Sequence, residues 1–344
     1  MSTVLKNRYE IMALVEAKMC NPNGDPDYGN LPRVDSMTSQ GIITDVAFKA
    51  RMRNYVLETY GQKEGFSVLM RTGNSLNRAI AEGNIAANNG VPAKGSNTQD
   101  GAAFMCQKYW DVRTFGAVLS TGLNAGQVRG AVQVQMALSV DPIEPLTMSI
   151  TRDCYTLKDS EDKAKGLSKA EDVLAKYDEI DAKKADDEKR TIGTKAYCPY
   201  GLYVMKLSVS ANLAEKCGFT EDDFQILLES IVQMYNMDIS SSKAGMSVLS
   251  PVMVFKHTGT TDEVSNPEQY ARECKLGCAP AYQLFQLLTV GKKDDSVTPR
   301  DYTDYQIQLH LDKLPKGVTV GLKKQAYEPV EWLDTHDILN IMEL

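Results

Sequence analysis

Four apolar side chains, Tyr203, Met205, Leu207 and Val209, fall on every second residue of one uninterrupted stretch. A period of two fits an extended strand with one apolar face and scatters around a helix, so this stretch reads as a half-buried strand. Tyr9, Ile11 and Val15 share one face of an earlier strand in the same way. Val132, Val134, Met136 and Leu138 alternate with Gln133, Gln135, Ala137 and Ser139. Pro251 to Lys256 is a short apolar run, and Tyr305, Ile307, Leu309 and Leu311 alternate near the carboxyl end. Two segments carry the other period. Thr44 to Thr59 opens with a capping threonine and an aspartate in the first turn, then repeats Phe48, Met52, Val56 and Thr59 at helical spacing. Thr220 and Asp223 form a capping-box-like start ahead of Phe224, Leu227, Leu228, Ile231 and Tyr235.

Read in order, these segments run strand, helix, strand, strand, helix, strand. That is the split βαβ pattern, so the expected fold is α+β, with a ferredoxin-like or RRM-like palm spanning residues 1–344 as one domain. Two long interruptions enlarge it. Residues 61–110 are rich in Asn, Gly and Ala. Residues 152–198 hold a dense mixture of charge, with eleven acids and nine bases between Lys158 and Arg190. Such a stretch reads first as a solvated helical excursion, although long insertions are also where binding loops and lids occur.

Composition narrows the function classes. No apolar run approaches the roughly 18 residues of a membrane span, and Met1 to Arg8 is polar, unlike a secretory leader. A cytoplasmic protein with no membrane partner is expected. The seven cysteines are odd in number and scattered, which fits a reducing compartment better than a disulfide framework. Cys274 and Cys278, with His257 upstream, have a spacing zinc sites use, but no second tight pair completes a tetrahedral set. There is no phosphate-binding GxxxxGK[ST] loop and no GxGxxG opening a helix. Gly122, Gly126 and Gly130 read as turns leading into the strand at Val132. His257, His310 and His336 are the only histidines and sit in no tight acid–base motif. No cofactor, no metal and no catalytic residue is expected. The net charge of −7 argues against a uniformly basic nucleic-acid binder. Between Asp45 and Arg78, however, six bases face three acids, which leaves room for a locally basic groove on an acidic body.

The most unusual segment is the loop after the first strand, Asn21-Pro22-Asn23-Gly24-Asp25-Pro26-Asp27, continuing through Arg33 and Asp35 to the helix at Thr44. Its prolines, glycines and asparagines make successive turns. The loop is either rigid for its own sake or presents amides and polar side chains to phosphates beside a helix start. Asp25, Asp27, Asp35 and Asp45 are in principle magnesium ligands, though turn-forming aspartates are far commoner. On the helix, Lys49 and Arg53 share a face and suit either solvent or a phosphate backbone. Asp238 to Met246, with small hydroxyls, Lys243 and Gly245, suits close approach of a phosphate chain or an ordinary helix exit.

Together these segments resemble a known family. The first loop with Pro32-Arg33-Val34-Asp35 and Gly41-Ile42-Ile43-Thr44-Asp45-Val46 is similar to the opening of the CRISPR-associated backbone subunit of type I-C Cascade, in the Cas-seven family, Csd-type. Asp111 to Gly116, Tyr200 to Tyr203, and Asp238 to Met246 leading to Val254-Phe255-Lys256-His257 resemble further blocks in the family's order. Lys243-Ala244-Gly245 stands where the family favours an arginine before glycine. The resemblance implies a palm with a projecting thumb, residues 152–198 being the thumb, and many copies overlapping along a guide RNA. Each thumb would flip out a base, leaving the bases between for pairing with target DNA. The implied partners are the guide (crRNA), other copies of the chain, and other Cascade subunits including the guide-processing and large subunits. It implies that Asn21, Asn23 and Arg33 shape the RNA-facing loop, Lys49 and Arg53 meet phosphates, and Ser241, Ser242 and Lys243 close the other side of the groove. The competing reading, from type III relatives, is a metal-dependent ribonuclease using Asp25, Asp27 or Asp45.

Overall fold

The computed structural model describes residues 3–160, 162–186 and 188–343. Met1 and Ser2 of the polar amino-terminal stretch, and Glu161 and Asp187 of the charged insertion, lie outside the described residues. The amino-terminal half contains β1 (Tyr9–Cys20), β2 (Gln40–Ile43), α1 (Asp45–Tyr60), α2 (Leu76–Ala87), α3 (Thr98–Lys108) and α4 (Trp110–Phe115). It continues through β3 (Val132–Val134), β4 (Ala137–Pro142), β5 (Leu146–Arg152) and α5 (Ala170–Lys183). Then come β6 (Thr191–Val209), α6 (Ala211–Cys217), α7 (Glu221–Met237), β7 (Met246–His257) and α8 (Pro267–Leu276). The last strands are β8 (Leu288–Lys292), β9 (Tyr305–His310), β10 (Val318–Lys323), β11 (Glu331–Trp332) and β12 (Ile338–Asn340).

A large antiparallel sheet organises the chain, in the order β11–β10–β7–β1–β6–β4–β2, with β3 and β5 also pairing with β6. The central strand β1 runs against β6 from Tyr9↔Val209 to Cys20↔Cys198, and against β7 on its other edge. Helices α1 and α7 cover one face, where Phe48, Met52, Val56, Phe224, Leu227 and Ile231 meet Tyr9, Ile11 and Val15. The α7 start is the expected capping box: Thr220 and Asp223 each accept from the other's backbone amide. Asp223 also receives both guanidinium arms of buried Arg113 at 2.9 and 2.7 Å, so α4 and α7 are pinned together. A buried pair this well hydrogen-bonded is costly to break from one side.

Two expectations change. The alternation in β1 suggested one buried face, yet its residues are buried throughout except Lys18 and Met19. The reason lies far down the chain: β8, β9 and β12 form a second sheet, and Ile307 and Leu309 pack with Met12, Leu14, Leu202 and Phe255 on the opposite face. The Val132–Leu138 series also breaks phase. Val132 is buried and Val134 half-buried, but Met136 and Leu138 are exposed while Ala137 and Ser139 turn inward. Residues 135 and 136 interrupt the strand, and a shift of one residue swaps the faces.

The two insertions differ. Within residues 61–110, α2 and α3 bury Ile80 and Met105, and Trp110 of α4 joins the main core. Buried Asn84 donates to the carbonyls of Ala93, Leu123 and Asn124 at 2.9, 2.9 and 3.0 Å, tying the Asn- and Gly-rich turns to α2. Residues 152–198 contain the end of β5, the start of β6 and α5, and no α5 residue is buried. Among the described residues, no helix is long and apolar enough to cross a membrane.

Candidate nucleic-acid interface

The loop after β1 is built by consuming its own polar groups. Asn21 is buried, its backbone amide donates to Ser242 O at 2.9 Å, and its Nδ2 donates to Asn30 O at 2.7 Å. Gly24 pairs with Pro32 across a two-residue ladder, and a Cβ there would stand 2.0 Å from Asn30 Oδ1, so a larger residue would have to displace the Asn30 side chain. Asp25 accepts from Asp27 N at 3.1 Å and from Arg33 Nη1 at 3.1 Å. Asn23 Oδ1 accepts from Thr44 N at 2.9 Å, which fastens the loop to the start of α1. Asp35 accepts from Met37 N at 2.8 Å and Thr38 N at 2.9 Å, and these amides hold its carboxyl below the ordinary carboxylate range. Asp45 pairs with Lys49 at 2.7 Å.

The ribonuclease reading finds no support in this arrangement. Of its candidates, Asp25 and Asp45 are engaged in a turn or an ion pair, and Asp27 is exposed in the short 3-10 turn Pro26–Tyr28. No three His, Cys, Asp or Glu side chains converge as a metal set among the described residues. The zinc candidate dissolves similarly. Buried His257 directs Nε2 to Glu10 Oε2 at 2.6 Å, while Nδ1 accepts from Cys278 N at 3.0 Å.

The second arm is the segment between α7 and β7. Lys243 Nζ donates to Asn21 O at 2.6 Å and also to Pro22 O, across the gap between the arms. Burial, then the nearby Arg51 cation, push its amine down to about 8. Gly245 O accepts from Lys18 N at 2.8 Å, and a Cβ on Gly245 would stand 1.8 Å from Lys18 O. The backbone of this arm therefore lies directly on the end of β1. Ser241 is exposed and Ser242 half-buried. Lys195, from β6, donates to Ser241 O at 3.1 Å.

Six of the eight residues singled out from sequence thus meet in one place: Asn21, Asn23 and Arg33 on one arm, Ser241, Ser242 and Lys243 on the other. Lys49 and Arg53 gather elsewhere, around Phe115, with their charged groups 5.9 and 5.1 Å from its ring centre. Arg53 is mostly buried and pairs with Asp111 at 3.0 Å, whose carboxylate also accepts from the Leu69 and Met70 amides. Sequence reasoning missed Arg51, which turns to Asp238 at 2.5 Å beneath the second arm, and Lys195. It also missed the exposed apolar side chains Met19, Tyr28 and Met37 around the loop. Helical spacing pointed to Arg51 only weakly, and no local signal marks Lys195, which a strand delivers from the insertion.

A chain of a CRISPR RNA-guided surveillance complex in a pre-nicking state aligns over 81% of this chain and 85% of its own, with a TM-score of 0.43 and 15% identity. A chain of another CRISPR RNA-guided surveillance complex aligns over 72% and 68%, with a TM-score of 0.39 and 14% identity. A CRISPR-associated protein Cas7 of Haloferax volcanii is 42% identical over 65 residues, a stretch covering 19% of this chain and only 18% of that protein. The family model for CRISPR-associated protein Cas7 matches residues 7–310, a span that includes both arms and every strand of the large sheet except β10 and β11. The chain belongs to the CRISPR-associated protein Cas7 family.

Proposed function

We propose that this chain is the guide-binding backbone subunit of a type I-C CRISPR surveillance complex, polymerising along the crRNA and presenting it to target DNA. The observation that carries the reading is the meeting of two polar arms at the end of β1, joined by the Asn21–Ser242 backbone bond. The four strands β7–β1–β6–β3, all antiparallel with α1 and α7 on one face, support a ferredoxin-like palm. Residues 152–198 serve as the thumb, and exposed Ile192, at the start of β6, is its base-displacing side chain. Ser241, Ser242, Asn23 and Arg33 line the RNA path. Lys49 and Arg53, already paired with carboxylates, flank it and contribute less to phosphate binding. The implied partners are neighbouring copies, the guide-processing subunit and the large subunit.

The test is binding of the full chain to single-stranded RNA of increasing length at two salt concentrations. Stepwise loading that weakens with salt is expected, because each neutralised phosphate releases counterions. Absence of nucleic-acid absorbance from a complex purified with its partner subunits would sink the proposal.

A further inference from the structure

Lysines near an RNA path are ordinarily assigned to phosphates. Lys243 is built differently. Its ammonium turns inward, donating to Asn21 O at 2.6 Å and to Pro22 O, the first two residues of the opposite arm. Its own backbone is fixed at both ends of a tight turn: Lys243 N donates to Ser240 O at 2.9 Å, and Met246 N donates to Lys243 O at 2.9 Å. One turn further on, Gly245 is pressed against Lys18 O. The side chain thus crosses between the arms and ends on carbonyls of the protein itself.

We infer that Lys243 is a positioning residue, a clamp that fixes the separation of the two arms, and not a phosphate ligand. This rests on the RNA-binding reading above. Two carbonyl acceptors give the ammonium charge-assisted hydrogen bonds that substitute for water. A phosphate competing for these two protons would have to strip both bonds and release the Asn21–Pro22 turn, and only the third N–H of the ammonium stays outside the clamp. The groups facing the amine bear this out. Burial first, then Arg51, disfavours its charge, while Cys20 and Cys198 act the other way to a lesser degree. The Asn21 carboxamide oxygen beside the clamped turn has no hydrogen-bond partner, so the Lys243 bonds add to those that Asn21 makes through its amide to Ser242 O and its Nδ2 to Asn30 O.

Salt dependence separates the two roles. A lysine on a phosphate contributes roughly 0.7 to the slope of log K against log salt for a single strand. Lys243→Gln is expected to weaken binding of the full chain to a single-stranded RNA several-fold while leaving that slope unchanged. Lys195→Gln, removing an exposed amine at the groove mouth, is the comparison. A slope lower by about 0.7 in Lys243→Gln, or an affinity equal to wild type, overturns the clamp. Amine acetylation of the wild-type chain, read by mass spectrometry, covers the case in which the variant does not fold. Lys243 should react slowly with and without RNA, whereas an amine reactive in the free chain and shielded by RNA overturns the inference. If wild-type protein acetylates as expected yet binds no RNA, the function reading fails and the clamp's role in it falls too.

Discussion

The loop from Asn21 to Thr44 and the insertion from Arg152 to Cys198 are both long, polar excursions from the same sheet, and they are held by opposite means. The loop is anchored by bonds to residues remote in sequence: Asn21 to Ser242, Lys243 to Asn21 and Pro22, Lys18 to Gly245. The insertion is laced mainly by neighbours, as in Glu179 with Lys176 and Lys183, and Lys165 with Asp159. Its helix α5 buries nothing. Remote anchors fix a shape, because every one of them must break for the loop to move. Local, exposed ion pairs leave a segment free to adapt, since each is weak and screened by salt. The backbone role proposed above would have use for both, a preformed groove and a deformable projection.

Substitutions break this comparison most severely at Gly245. Gly245→Ala would drive a Cβ into Lys18 O, and the cost should be on the order of 3 kcal/mol as backbone shifts. Chemical denaturation measures it; a cost within error of wild type would mean the arms are not locked together. Next comes Asn21→Ala, which removes the donor to Asn30 O from a buried site and should cost about 1–2 kcal/mol. Calorimetry on the variant checks this, and a neutral result would show that the loop's own turns suffice.

The effect of pH sharpens the contrast. The Lys243 amine titrates near 8 when folded, against an ordinary value of 10.5. Below that window it is charged in both the folded and the unfolded chain. Within it the unfolded chain binds more protons, so this group's contribution to stability rises with pH from about 8 to 10.5. Thermal melts across that range should shift in favour of wild type over Lys243→Met as pH increases; parallel curves would refute the burial of the amine. The smallest effect belongs to the insertion. Lys176 and Lys183 hold the Glu179 carboxyl at about 2, but the site is fully exposed, so Glu179→Gln should leave the melting temperature unmoved. A clear drop would show that the insertion packs on something.

Much of the scaffold was legible before any coordinates. Thr44 and Thr220 both cap the helices their neighbours announced, and Phe48, Met52, Phe224 and Leu227 face the sheet as their spacing required. The candidate loop was legible too, because Asn, Gly and Pro in that density leave few other conformations. The misreadings share a cause. The phase of Val132–Leu138 depended on a two-residue break that no periodicity records. Arg53 looked like a surface cation because its partner, Asp111, lies on another helix.

What the sequence determined by itself was local: which segments are strands or helices, where they start, and that the Asn21–Asp35 stretch turns repeatedly. These follow from side-chain period, capping chemistry and φ preferences, all of which act within a few residues. Only the tertiary structure decided that β1 is covered on both faces and that Lys243 is turned inward onto Asn21 and Pro22. It alone decided that Asp223 serves a helix cap and Arg113 together. Each of these joins residues far apart in the chain. Their partners are chosen by burial, where an unpaired polar group is costly, and no short window of sequence contains both ends of such a bond.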